Sequence, residues 1–386
     1  MIKTIHTERI PIKLWLPDIE EIALQQAKNL ANLPFAKFWI AVMPDAHPGF
    51  GMPIGGILAA KDTVVPNAVG VDIGCGMCSV KTNLTEISTD TLKKIMGEIR
   101  QLVPLGFNHH KKPQDKNLMP GSNNVSFNGS IVLQEYNNAL TQIGTLGGGN
   151  HFIEIQKGSD GFVWLMIHSG SRNIGFKVAE YYNRLAGSLK EKFNSKVPRE
   201  WQLDYLPADF KEGQQYLAEM QYCVDFALAN RKLMMERILA IVNNITRAQF
   251  EPMINIAHNY AALEEHFGEK VFIHRKGATK ADAGLVGIVP GSMGSTSYII
   301  EGLGNEESFS SCSHGAGRKM GRNEAIRSLN LEEEQKKMEG IIHGLRTKRD
   351  LEEAPSAYKN IDEVMENQKD LVKIKVSLKP LAVIKG

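Results

Sequence analysis

The segment Val69-Gly-Val-Asp-Ile-Gly-Cys-Gly-Met-Cys78 sets a carboxylate, Asp72, and a thiol, Cys75, three residues apart in a glycine-flanked turn. A tight turn brings side chains i and i+3 to the same side, so the two can converge on one cation. The bland alternatives are that Cys75 and Cys78 are small buried hydrophobes, or that the CxxC pair is a zinc knuckle or redox couple. No second CxxC completes a knuckle, and Cys78 opens a Ser-Val-Lys run that reads as strand. Four histidines have a related context: His151 follows Leu-Gly-Gly-Gly-Asn, His168 ends an apolar run, and His258 and His314 sit in Ala-His-Asn-Tyr-Ala and Ser-His-Gly-Ala-Gly-Arg. One histidine in a strand is ordinarily a satisfied core residue; four at run ends or in glycine turns are hard to explain by packing. His6, His47, His109, His110, His266, His274 and His343 read as surface or support, although His47 in Met-Pro-Asp-Ala-His-Pro-Gly-Phe-Gly has a similar loop context.

Asp72, Cys75, His151, His168 and His258 make five candidate donors, one more than a closed tetrahedral zinc site uses. Two metals sharing a ligand would use them all. Thiolate and imidazole favour zinc by softness, whereas a carboxylate and open positions for water or phosphate equally admit manganese, so residue types leave the metal open. Three glycine-rich stretches, 146–152, 289–297 and 314–318, offer exposed backbone N–H groups to oxyanions, with Arg172 and Arg318 able to add guanidinium contacts. None matches the P-loop or the dinucleotide fingerprint. Lys280-Ala-Asp-Ala-Gly approaches the Lys-x-Asp-Gly core of lysine-type nucleotidyltransferases, but Ala283 breaks the pattern and no supporting motif follows.

These groups need elements to hold them. Short β-rich runs, 39–43, 162–167, 270–273 and 284–289, each lead into Gly, His, Pro or polar residues and read as strand ends carrying loops. Helical periodicity is clearest over 91–102 and over about 211–247, the second inside a helical layer expected at about 180–250. The polar stretch 107–130, rich in turn formers, predicts a surface loop. Strands scattered along the whole chain with one helical block argue for a single α+β domain over 1–386 rather than regular βαβ alternation. Lys and Arg number 45 against 43 Asp and Glu, so a polyanionic ligand must be held by local positive groups or metal ions. The N-terminal residues lack the apolar core of a signal peptide and no run reaches the length of a membrane span, which predicts a soluble cytoplasmic protein. Four cysteines are too few for a disulfide scaffold.

Ten motifs then carry a resemblance over nearly the entire chain: MPDAHPGFGMPIGG, NAVGVDIGCGM, LGGGNHFIEI, IHSGSRNIG, ALANR, HNYA, RKGAT, VPGSMGSTSYI, GLGNEESFSSCSHGAGR and the closing AVIKG. On these the chain resembles the RtcB family of RNA-splicing ligases, which join 2′,3′-cyclic phosphate or 3′-phosphate RNA ends to 5′-hydroxyl ends using GTP and manganese. The resemblance implies two Mn2+ ions held by Asp72, Cys75, His151, His168 and His258, with the Cys75 thiolate shared, and His314 as the nucleophile that becomes guanylylated. It places the guanosine nucleotide against Asn150, His151, Phe152, Ile153, Glu154, His258, Asn259, Pro290, Gly291, Ser292, Met293, Ser297, His314, Gly315, Ala316, Gly317 and Lys385. It also implies an activating protein as a partner and a role in tRNA splicing and RNA repair. The expected fold is mixed and antiparallel sheets with flanking helices around a deep metal-containing cleft. Two departures stand out: Lys319-Met320-Gly321-Arg322 follows the HGAGR motif where the family usually has Met-Ser-Arg, and the segment 105–142 matches nothing in the family with assurance. Competing readings are a metal-dependent phosphoesterase, which needs the metals but not His314, an end-capping enzyme that guanylylates 3′-phosphates and ligates poorly, and a non-catalytic RNA-binding scaffold.

Overall fold

The computed structural model describes residues 1–386. Two large sheets organise it. The first has six strands in the order Lys3–Ile5, Ile12–Leu14, Ala36–His47, Ile54–Ala60, Glu269–Lys276 and Asn259–His266. It is mixed, because Ile12–Leu14 runs parallel to Ala36–His47 while its other pairs are antiparallel. The second has seven strands, ordered Ile254–Ala257, Gly76–Lys81, Val163–Ser169, Phe152–Gly158, Val372–Lys385, Ser297–Gly302 and Val286–Val289, every pair antiparallel. The α+β architecture of mixed and antiparallel sheets with flanking helices agrees with the scattered β-rich runs, each of which overlaps an observed strand, although Val163–Ser169 starts one residue inside 162–167 and Val286–Val289 covers only the end of 284–289.

Alternation along the second sheet sorts side chains between two layers. Cys78, Val80, Ile153, Ile155, Leu165 and Ile167 face an apolar layer completed by Ile95, Ile99, Met234 and Ile238 from the helices Thr89–Leu102 and Lys211–Thr246. Met77, Phe152, Trp164 and Met166 face the other way. The 36-residue helix Lys211–Thr246 is about 54 Å long at 1.5 Å per residue. It buries residues around much of its circumference, which is why its apolar periodicity is diffuse in sequence. The helical layer is two helices, Arg172–Ser188 and Lys211–Thr246, rather than one block; the interval between them contains Pro198, Pro207 and a two-residue strand, Leu206–Pro207. The stretch 107–130 is largely exposed loop with single 3-10 turns at Lys116–Leu118 and Asn123–Val125, pinned by buried Met119 and Val125. No helix is long and apolar enough to cross a membrane.

Two adjacent polar residues in the buried side of the long helix serve the loops above the sheet. Asn230 accepts from the N–H groups of Gly144 and Thr145 and donates toward Thr145 O, Ser169 Oγ and Gly170 O at 3.2 Å. Arg231 donates to Gly74 O, Ser169 O and Asn255 Oδ1 at 2.8 to 2.9 Å. The helix thus clamps the turns that carry Cys75, His151 and His168. Asn230→Leu keeps the volume but strands buried N–H and C=O groups, and should lower the unfolding free energy by about 3 kcal/mol, whereas exposed Lys232→Leu should stay within about 0.5 kcal/mol. Equal stabilities in a denaturant titration would refute the clamp.

Candidate active site

Four strands of the second sheet meet their functional residues at one common end. Gly76 pairs with both Ala257 and Ser169, and Phe152 pairs with His168. Cys75 precedes the first residue of its strand, His151 precedes Phe152, His168 is next to last in its strand, and His258 follows Ala257. Antiparallel register therefore forces residues distant in sequence into one cluster. The joint is tight: a Cβ on Gly76 would lie 1.9 Å from Ile256 O, so only glycine fits there. Asp72 folds back over the cluster because the Cys75 N–H donates to its carbonyl at 3.1 Å, closing the turn.

Cys75 Sγ lies 3.5 Å from His151 Nε2 and 3.3 Å from His168 Nε2. His168 Nε2 is 3.4 Å from His258 Nε2, and His151 Nε2 is 3.1 Å from Asp72 Oδ2. The five residues singled out in the sequence thus form one continuous cluster, with Cys75, His151 and His168 offering ligand atoms all within 4.8 Å of one another. The His168 Nδ1–H donates to Asn150 O at 3.1 Å, so in the neutral ring the Nε2 lone pair faces the thiol and His258. Burial holds His168 and His258 well below the ordinary imidazole range, aided by the neighbouring rings. Burial raises Asp72, but hydrogen bonding and charge from His151, with the Cys75 thiol and Arg172 behind it, overturn this and draw it to about 2. Burial, then Asp72, pushes the Cys75 thiol well above its usual value. A carboxylate, buried imidazoles and a buried thiol suit a divalent cation, whose charge would favour the thiolate that burial opposes. The Cys78 thiol faces the apolar layer behind the sheet, where burial lifts it to about 12, so the two cysteines do not form a knuckle.

His314 stands beside this cluster, its ring 4.9 Å from that of His258 between centroids. It follows the short strand Ser311–Ser313, which pairs with Ala278–Lys280. Its Nδ1–H donates to Asp45 Oδ2 at 2.6 Å, and the same oxygen accepts from the His314 backbone N–H at 3.1 Å. Asp45 is fully buried, and the imidazole outweighs the upward push of that burial to keep its carboxyl below the ordinary aspartate value. The pairing fixes the tautomer and turns the Nε2 lone pair outward. Gly317, at φ +72°, brings its backbone against Asp45 O, where a Cβ would sit 2.1 Å away. Asp45 was not singled out in the sequence; its signal is its place in the loop-forming motif that also holds His47.

A cavity of about 400 Å³ opens from His314 and His168. Asn150, Phe152, Glu154, Pro290, Gly291, Ser292, Met293, Gly315, Ala316, Gly317 and Lys385 line it, together with His47, Arg318, Arg322, Glu353 and Tyr358, which were not on the nucleotide list. Other residues on that list sit elsewhere. The Ile153 side chain packs in the layer behind the sheet. Asn259 braces the turn by donating to Asp72 O and accepting from the Gly277 N–H, and Ser297 Oγ accepts from the Gly291 N–H. His151, His258, Asp72 and Cys75 belong to the donor cluster rather than the cavity wall. Burial raises Glu154 to about 8 despite Lys385 and Gln156, whose Nε2 donates to it at 2.6 Å. Glu353 gathers Arg318, Arg322 and Lys385 at 3.1, 3.0 and 3.6 Å. Lys280 lies outside the cavity lining and pairs with Asp282 at 2.9 Å, which leaves the lysine-type reading without a site.

Burial holds the proton on the Cys75 thiol, so a cation that takes Cys75 as a ligand must displace it. The apparent Kd for Mn2+ should tighten by up to about tenfold per pH unit below the thiol pKa. Calorimetric titrations in two buffers of different ionisation enthalpy should count about one proton released by the wild type and by Cys78→Ala, with weaker binding and less release in Cys75→Ala. Identical titrations for the two cysteine variants would dismiss Cys75 as a ligand.

Comparison with known proteins bears on this geometry. A family model described as tRNA-splicing ligase RtcB matches residues 26–386. The RNA-splicing ligase RtcB of Escherichia coli K12 is 38% identical over 98% of this chain and 98% of its own. The tRNA-splicing ligases RtcB of Nanoarchaeum equitans and Thermococcus kodakarensis are 33% and 31% identical, each over 98% of this chain and 95% of theirs. Strands ending in a thiol and imidazole cluster, a histidine tethered to a buried aspartate, and a match along nearly the whole length agree: the chain belongs to the RtcB family.

Proposed function

We propose that the protein is a GTP- and manganese-dependent RNA ligase that joins 2′,3′-cyclic phosphate or 3′-phosphate ends to 5′-hydroxyl ends through a histidine-GMP intermediate on His314. The observation that carries this is the 2.6 Å Asp45–His314 bond, which presents Nε2 at the head of the cavity beside the donor cluster. In the first step Nε2 attacks the α-phosphorus of GTP. The N–P bond forms as the bond to the bridging oxygen breaks, and pyrophosphate leaves. Asp45 offsets the positive charge that develops on the ring, the role of an orienting carboxylate. In the second step an oxygen of the RNA 3′-phosphate takes the GMP and the N–P bond breaks, freeing His314. The 5′-hydroxyl then attacks the activated 3′-phosphate and GMP leaves; a cyclic end is first hydrolysed to the 3′-monophosphate. Asp72, Cys75, His151, His168 and His258 would hold the manganese, which would supply Lewis-acid charge withdrawal at the phosphoryl oxygens.

Nucleotide selection falls to the cavity wall. Phe152 and Glu154 project to one side of their strand, and Lys385 is paired across from Phe152 with its ammonium 5.5 Å from the ring. Guanine offers N1–H and N2–H to the Glu154 carboxylate; adenine offers no such pair. Glycine-loop N–H groups of 290–293 and 315–317 face the same cavity and suit phosphate or ribose oxygens.

Incubation with radiolabelled GTP tests the central step: an acid-labile protein-GMP adduct is expected, and its absence in manganese-loaded protein would reject the ligase reading. His314→Ala should form no adduct yet still ligate RNA supplied with a preformed 3′-diphosphate-guanosine end, His258→Ala should fail at both, and Lys280→Ala should pass both. A folded, metal-loaded His314→Ala that is dead on the preactivated RNA would show that His314 is more than the GMP carrier.

Glu154 gives a pH test. Its pKa of about 8 leaves it largely neutral at pH 7, while guanine's two donors favour the ionised form, so GTP binding should tighten as pH rises from 7 toward 9. Glu154→Gln should flatten that rise and narrow the GTP over ATP preference, by about 1 to 3 kcal/mol. A pH-independent GTP affinity in the wild type would contradict this role.

A further inference from the structure

Resting on the ligase reading above, the distinctive segment 105–142 suggests how one RNA end is held. Phe107 is 93% exposed, yet its backbone is not free. The Gly106 N–H donates to Gly147 O at 3.1 Å, in the loop that carries His151, and the His110 N–H donates to Thr141 O at 2.9 Å. Arg237 then fixes the loop by donating to His110 Nε2 at 3.1 Å and to Gln114 Oε1 at 2.6 Å. A phenyl ring is therefore held out in water on a pinned backbone, one residue from a contact with the donor cluster's own loop.

Its surroundings have the character of a single-strand binding rim. Arg172 reaches both ways, with Nη2 3.4 Å from Gly106 O and Nη1 3.5 Å from His151 Nδ1, and its third contact, Nε to Thr145 Oγ1, is 3.3 Å. All three are long for guanidinium hydrogen bonds, so the fork is available to a phosphate. Phe176, 45% exposed, lies one helical turn beyond Arg172, and Val71, 44% exposed, adjoins Asp72. Lys111 and Lys112 are exposed immediately after the two histidines of the loop, with Asp115 the acidic residue before Lys116. None of Phe107, Arg172 and Val71 lines the cavity assigned to the nucleotide. Arg172 links the Gly106 carbonyl to the His151 ring, so Phe107 stands at the edge of the donor cluster, outside the cavity lining. Aromatic rings with interleaved cations bind single strands by stacking and backbone attraction.

We infer that Phe107 stacks on the base of the nucleotide that bears the RNA 3′-phosphate, with Arg172 holding that phosphate beside the donor cluster and Lys111 and Lys112 following the backbone upstream. Phe107 is thus a substrate-binding residue for one end of the RNA, contributed by a loop that sets the end preference of this chain.

The test uses full-length protein and oligoribonucleotides carrying 2-aminopurine at the terminal position, next to either a 3′-phosphate or a 5′-hydroxyl. Binding is read by fluorescence quenching, which requires no catalysis, so it stands even if the protein-GMP adduct fails to form. Wild type should quench the 3′-phosphate probe, Phe107→Ala should weaken its binding about tenfold and lose the quench, and Phe107→Trp should restore both. Lys111→Ala with Lys112→Ala should weaken binding and flatten its salt dependence while retaining the quench. In ligation, Phe107→Ala should raise KM for the 3′-phosphate strand with kcat changed far less. Unaltered affinity and quench in Phe107→Ala, or a Phe107-dependent quench only on the 5′-hydroxyl probe, would overturn the assignment; the first outcome would leave the ring to a protein partner instead.

Discussion

A thiol buried among imidazoles and a carboxylate is the constraint on which the rest of the structure turns. Cys75, His168 and His258 are at most 4% exposed, and their donor atoms approach one another across 3.3 to 3.4 Å, with the His168 Nε2 lone pair directed inward. Such a cluster is costly in an empty protein interior, because too few protons are present to satisfy every pair and adding one creates a buried charge. A divalent cation would remove the conflict. The sheet contributes rigid geometry: four strands end at the same level, and the clamp from Asn230 and Arg231 holds the turns that leave them.

Chemistry is placed by the junction of that sheet with the first one. His258 is the single residue between one sheet's edge strand, ending at Ala257, and an edge strand of the other, beginning at Asn259, while Asp45 lies in Ala36–His47 of the first sheet and reaches His314. His314 is consequently referenced to one sheet and the thiol and imidazole cluster to the other, with the cavity opening from His314 and His168. Burial sets much of the electrostatics: it keeps His168 neutral and lifts Glu154 on the cavity wall to about 8, while the His314 imidazole holds buried Asp45 ionised.

Much of this was legible in the sequence because the relevant residues sit where strands give way to glycine turns. Asp72, Cys75, His151, His168, His258 and His314 all carry that signature, and pattern alone joined five of them as a donor set. Asp45 escaped notice because one aspartate beside apolar strand residues looks like a turn residue; its importance depends on contact with His314 across 269 positions. Arg322 and Glu353 were invisible for the same reason, since a buried cation network is defined by packing rather than spacing. The segregation of Cys75 from Cys78 could be anticipated from the strand that begins at Gly76, but which face held apolar helices could not. The split of the helical layer reflects its connecting residues, whose prolines stop helix propagation without erasing the surrounding periodicity.

The most direct test of the donor cluster as a metal centre is anomalous diffraction from crystals grown with Mn2+, measured on both sides of the manganese absorption edge. Two anomalous peaks within bonding distance of Cys75 Sγ, one also reaching Asp72 and the other His168 or His258, are the expected result. Manganese absent from this cluster, with the Cys75 thiol still hydrogen-bonded among the imidazoles, would contradict it.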